Sequence, residues 1–155
     1  MTGTGSSGQF GLPVLAAPQA PEIAPYFAAA ASGRLVLPRC LSCGFVIWYP
    51  RAFCPACGAA DVEWIGSPGL GTVYSCTVTR HGPGRYRDVG PYLLAYVELD
   101  EGPRVLTNIV GCAPEHVRIG QRMLAVFDQE VLDGRGLVSL LRFRPVPADG
   151  EESRT

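Results

Sequence analysis

Two pairs of cysteines constrain this chain more than any other feature. Cys40-x2-Cys43 is followed, ten residues later, by Cys54-x2-Cys57, and a glycine comes directly after each pair, Gly44 and Gly58. A two-residue gap lets both sulfurs of a pair face one ion. Glycine after the second cysteine accepts a backbone conformation that other residues resist. Four thiolates in a tetrahedron suit Zn²⁺ at about 2.3 Å per bond. The expectation is one structural Zn²⁺ held by Cys40, Cys43, Cys54 and Cys57. Four protein ligands fill the coordination sphere and leave no place for a reactive water.

A tetrahedral set of four sulfurs also accepts a single iron. The knuckle spelling resembles that of rubredoxin, although rubredoxins separate their pairs by more residues. An electron carrier is therefore the second reading of the same ligands. Disulfides are the third reading, and no charged n-region with an apolar stretch behind it marks secretion. The metal-ligand spacing and the missing signal point to a cytoplasmic metal site.

The residues around the cysteines fall into segments. Residues 1–21 are rich in Gly, Ser, Pro and Ala without a periodic apolar pattern, and residues 146–155 are polar; both are expected to be disordered tails. Residues 22–33 read as a short helix, with Pro25 at its first turn and Gly33 past its end. It is too short to hold alone, so Ile23, Tyr26, Phe27 and Ala30 pack either on their own domain or on a partner. Residues 34–66 form the ribbon, in which the aromatic run Phe45–Tyr49 lies between the cysteine pairs as a hairpin closed by Pro50. Residues 67–145 carry five β runs: 71–80, 92–99, 104–110, 122–127 and 137–144. In the second, Leu93, Ala95, Val97 and Leu99 share one face and Tyr92, Leu94, Tyr96 and Glu98 the other. Asp100-Glu101-Gly102 reads as a tight turn and residues 113–120 as a helical insert after the third strand. That order is the order of an OB-fold, a five-stranded Greek-key barrel. The predicted fold class is mostly β: short helix, rubredoxin-like zinc ribbon, OB barrel. About 120 residues remain to fold, a size at which a metal staple helps.

Charge narrows the partners. The formal net charge is -1, with 13 Arg, no Lys and no basic block, so a chain that neutralises many phosphates is not expected. The absence of Lys removes any Schiff-base chemistry. No apolar run reaches the roughly 20 residues that span a bilayer.

No catalytic set emerges. Cys76 and Cys112 read as small apolar residues, and nothing places His81 or His116 beside either thiol. The loop between the first two barrel strands holds Arg80, His81, Arg85 and Arg87. These could hold a phosphate or carboxylate, and a solvated loop accounts for them equally simply. The outer strip Tyr92, Leu94, Tyr96 is expected to lie under the helix or to form an interface.

Several phrases occur together in order: GRLVLPRCLSCGFVIWYPRAFCPACGAADVEW, GLGTVYSCTVT, PYLLAYVELDEGPRVLTNIVGC, IGQRMLAVFD and a final FRP. Over residues 26–145 they resemble the acyl-CoA-associated OB-fold family with a rubredoxin-like zinc ribbon. The resemblance implies a non-catalytic subunit beside a thiolase-like enzyme (thiolase, aldolase or acyltransferase) in lipid, sterol side-chain or polyketide chemistry. It implies an acyl-CoA at the shared interface, with the catalytic residues on the partner and a two-plus-two assembly. The chain has no room for the hydratase-like domain some relatives carry, so a standalone subunit is expected. Tyr26, Phe27, Trp48, Tyr49 and Phe53 are the expected docking aromatics. Arg80, Arg85 and Arg87 are candidates for the CoA phosphates. The competing function is a single-stranded nucleic-acid binder, which the balanced charge disfavours.

Overall fold

The computed structural model describes residues 8–15 and 20–147. A 3-10 turn at Pro21–Ile23 leads into α1 (Ala24–Ala31). α1 ends because Gly33 adopts φ +70°, a conformation that a Cβ would strain. Gly33 N–H then donates to Ala30 O and Arg34 N–H to Ala29 O, each at 2.9 Å, which satisfies two carbonyls the helix end leaves open. Ile23, Tyr26 and Ala30 are buried within this chain, with α1 lying against the strands Leu35–Cys40 and Gly136–Pro145. The helix therefore packs on its own domain.

Two strands, β1 (Leu35–Cys40) and β2 (Val62–Ser67), pair antiparallel from Leu35 opposite Ser67 to Cys40 opposite Val62. The run Phe45–Tyr49 does not form the expected hairpin strand. It makes one bridge, Val46 opposite Arg39, held by Cys40 N–H to Phe45 O and Ile47 N–H to Pro38 O. Pro38 has no N–H to return the second bond, so the ladder stops there.

Five further strands close a barrel: β3 (Leu70–Thr79), β4 (Tyr92–Leu99), β5 (Arg104–Ile109), β6 (Arg122–Leu132) and β7 (Gly136–Pro145), in the order β3-β4-β5-β7-β6. The expected alternation holds in β4, where Leu93, Ala95, Val97 and Leu99 are all buried. The turn after β4 forms as read, with Gly102 at φ +112° and its N–H on Leu99 O. The insert is shorter than expected, a single 3-10 turn at Pro114–His116. β6 runs five residues beyond its expected end, and its far half, Asp128–Leu132, pairs throughout with β7. β5 and β7 are parallel and pair at one position, Ile109 opposite Phe143, so they diverge toward their N-terminal ends.

Residues 8–15 depart from the disordered tail expected of residues 1–21. They pack on the outside of the barrel, where Leu12 and Val14 are buried. Composition misleads here because the packing partners lie 71 to 129 residues away in sequence. The remainder of both expected tails, 1–7, 16–19 and 148–155, lies outside the described residues. Among the described residues, no helix is long and apolar enough to cross a membrane.

Candidate metal centre and the aromatic face beside it

β1 delivers Cys40 to the site, and the chain turns back at once. Gly44 N–H donates to Cys40 O at 2.9 Å and Cys40 N–H to Phe45 O at 2.9 Å. The second pair repeats the pattern: Gly58 N–H to Cys54 O and Cys54 N–H to Ala59 O, both 2.8 Å. Gly44 at φ +76° and Gly58 at φ +79° occupy the conformation that the sequence reserves for them.

The two knuckles bring Cys40 Sγ within 3.6 Å of Cys57 Sγ, and Cys43 Sγ within 3.6 Å of Cys54 Sγ. All four sulfurs lie within 4.8 Å of one another. A tetrahedron with bonds of about 2.3 Å has edges of about 3.8 Å, so the donor set fits one four-coordinate ion. Cys40 is lowered to about 7, chiefly by the backbone N–H of Cys43 and against the opposing cost of burial. Cys40 and Cys54 are buried and Cys43 and Cys57 face solvent, so the ion would sit near the surface with no room left for substrate.

The segment after the first knuckle builds an aromatic cluster. Ile47 is fully buried, which fixes the two residues that follow. Trp48 packs edge-on against Tyr49 at 5.4 Å, and Tyr26 of α1 meets Trp48 at 5.8 Å, Tyr49 at 6.2 Å and Phe27 at 5.2 Å. Burial, helped by Tyr49, pushes the Tyr26 phenol above its ordinary range, so it stays neutral. The expected docking aromatics thus divide. Tyr26 is a buried support, Phe27 and Trp48 are half-buried, and Tyr49 is exposed. Phe53 is exposed on the ribbon, with the Arg51 guanidinium 6.0 Å from its ring centroid. The cluster forms one wall of a cleft of about 210 Å³, and Leu106 and Leu140, from the diverging β5 and β7, form the other.

Arg80, His81, Arg85 and Arg87 are all exposed on the β3–β4 loop. Arg85 donates to the Val14 carbonyl at 3.3 Å, and the adjacent Tyr86 hydroxyl donates to Pro13 O at 3.3 Å. Part of this loop therefore holds the N-terminal segment. The strip Tyr92, Leu94, Tyr96 is not covered by α1. Tyr92 packs on Tyr86 with ring centroids 4.9 Å apart, and Tyr96 remains exposed. Cys76 and Cys112 pack partly buried against the barrel core.

Sequence reasoning missed one polar group entirely. Arg142 on β7 is 1% exposed and Asp128 on β6 is fully buried. Arg142 Nε donates to Asp128 Oδ2 at 2.8 Å, one terminal nitrogen to Asn108 Oδ1 at 2.5 Å and the other to Pro13 O at 2.9 Å. Arg142 stands between Leu141 and Phe143, a charge inside an apolar run, and that was the available signal; Asp128 opens the polar run Asp128-Gln129-Glu130, and nothing in its neighbours marks it as buried.

Comparison with known proteins finds relatives for both parts of the chain. Residues 27–63 match the ChsH2 rubredoxin-like zinc ribbon domain and residues 64–128 the ChsH2 C-terminal OB-fold domain. A DUF35 domain-containing scaffold protein of Methanocaldococcus jannaschii is 37% identical over 70% of this chain and 79% of its own. A probable enoyl-CoA hydratase alpha subunit of Thermomonospora curvata is 40% identical over 77% of this chain, which spans 36% of that longer protein. A solved structure, the Ltp2-ChsH2(DUF35) aldolase, contains a chain 37% identical to this one, with a TM-score of 0.66 over 84% of this chain and 98% of that chain. Ribbon, barrel and relatives agree: the chain belongs to the ChsH2 family of DUF35 proteins, which join a rubredoxin-like zinc ribbon to an OB-fold.

Proposed function

We propose that this chain is a non-catalytic accessory subunit that docks a thiolase-fold enzyme and helps bind or channel an acyl-CoA thioester. The observation that carries this reading is the match over 98% of a chain of the Ltp2-ChsH2(DUF35) aldolase. The surface supports it. Tyr49 and Leu106 are exposed beside an apolar cleft, and exposed aromatics flanking such a cleft are the usual anchors of an interface. Four sulfurs and no open coordination position make the metal a structural part, and the ion we assign is Zn²⁺. Catalytic residues then reside on the partner, in a two-plus-two assembly, and the chain works in the cytoplasm.

The test is the activity of the partner enzyme purified with and without this chain. The isolated partner should be inactive or insoluble, and adding the chain should restore turnover of an acyl-CoA substrate. Full activity of the isolated partner would refute the proposal.

A further inference from the structure

The outer face of the second and third strands, next to the loop joining the first two, is where OB-folds take extended ligands. Here those strands are β4 and β5; Leu15 borders a cleft whose lining includes Tyr92 and Leu94 of β4 and Asn108 of β5, and the residues before it are held by the β3–β4 loop, β6 and β7. Three donors reach the main-chain carbonyls of this segment: Tyr86 hydroxyl and an Arg142 terminal nitrogen to Pro13 O, and an Arg85 terminal nitrogen to Val14 O. Val14 is fully buried and Leu12 nearly so. Beside the segment lies an open cleft of about 460 Å³, lined by Leu15, Tyr86, Tyr92, Leu94 and Asn108. The segment adds no strand to the barrel. It is held as a bound peptide is held, by side chains that read its carbonyls and by sites for its apolar side chains.

We propose that this face is a peptide-binding groove and that residues 8–15 are its self-ligand, closing it in cis. The groove selects an apolar segment that, like residues 8–12, turns back on itself and then presents accessible carbonyls, and it opens when the resident segment leaves. The inference stands apart from the accessory role and does not depend on it.

Gly8 offers a way to release the segment. A Cβ at Gly8 would overlap the Asp128 carboxylate, which Arg142 holds in place. Gly8→Val should therefore expel the segment through its clash with Asp128, with every barrel residue keeping its identity. The probe is a fluorescently labelled peptide of residues 8–15, titrated into the full-length chain and read by anisotropy. Gly8→Val should bind it saturably, at least about tenfold more tightly than wild type, because a cis occupant lowers apparent affinity by the fraction of time the groove is open. Tyr86→Phe in the same background should weaken binding, since it removes a donor to the central carbonyl. A folded Gly8→Val chain that binds no tighter than wild type would overturn the proposal.

Hydrogen exchange of the wild-type chain decides the matter should Gly8→Val fail to fold. The Gly8 and Gly11 amides, bonded to Leu12 O and Gly8 O, should exchange at least about tenfold faster than the paired amides of β6 and β7. Exchange at the same rate as those strands would make the segment a fixed part of the core and overturn the proposal.

Discussion

The ribbon and the barrel are held together by different physics. The ribbon buries three side chains at its own centre, Cys40, Ile47 and Cys54, two of which are metal ligands. The barrel cluster buries sixteen, Val73, Val97, Met123 and Phe143 among them, and extends under α1 through Tyr26 and Ala30 and into the ribbon strand β1 through Leu35 and Leu37. So small an apolar set cannot offset the conformational entropy of the two knuckles, whereas the barrel's can offset its own. The ion supplies the difference. Bound to the four thiolates it would fix the knuckles, and the knuckles lead into the segment of half-buried Trp48 and exposed Tyr49.

Cys54→Ser should break this division most strongly. Binding energies at structural zinc sites reach about 10–16 kcal/mol in isolated peptides, and here that energy is the ribbon's folding energy. Metal content should fall to zero and amide protection at Gly44 and Gly58 should vanish while β6 and β7 stay protected. A Cys54→Ser chain that keeps one metal ion and its native melting temperature would contradict the division. Acid should act in the same sense, because protons compete with the ion for thiolates, so metal is lost as pH falls.

Asp128→Ala tests the barrel by the opposite route. Removing one partner of a buried ion pair leaves Arg142 uncompensated, at a cost of about 3–5 kcal/mol. Chemical denaturation should register that loss with metal content unchanged. Tyr49→Ala should sharpen the functional side: an interface anchor costs about 2 kcal/mol or more in partner affinity, roughly thirtyfold, with little change in the free chain's stability. Gly33→Ala should cost about 1–2 kcal/mol at the helix end, read as a lower melting temperature, since φ +70° strains a Cβ. Glu63→Ala, which removes the exposed pair with Arg39 on the ribbon, should change stability by less than about 1 kcal/mol.

What the sequence revealed was local. Four cysteines at fixed gaps, two glycines after them and the period-two pattern of residues 92–99 each specify geometry within a few residues, and the structure places them as read. What it concealed was long-range. Residues 8–15 contain Gly, Pro and a few apolar side chains, a composition that reads as a tail until Arg142 and Tyr86 are brought against it by the barrel's closure. Asp128 and Arg142 are fourteen residues apart on neighbouring strands, and only the β6–β7 register makes them a pair. The aromatic residues are legible by type, but which of them are buried and which exposed depended on where α1 settled.

The most direct measurement is native co-purification of the tagged chain from its source cells, with and without a chelator, followed by mass spectrometry. A thiolase-fold enzyme should co-elute in near-equal amount and be lost when the metal is removed, while the barrel stays folded. Co-elution of nucleic acid, or of no enzyme at all, would contradict the accessory role, and a complex that survives complete loss of metal would contradict the link between the ion and the docking face.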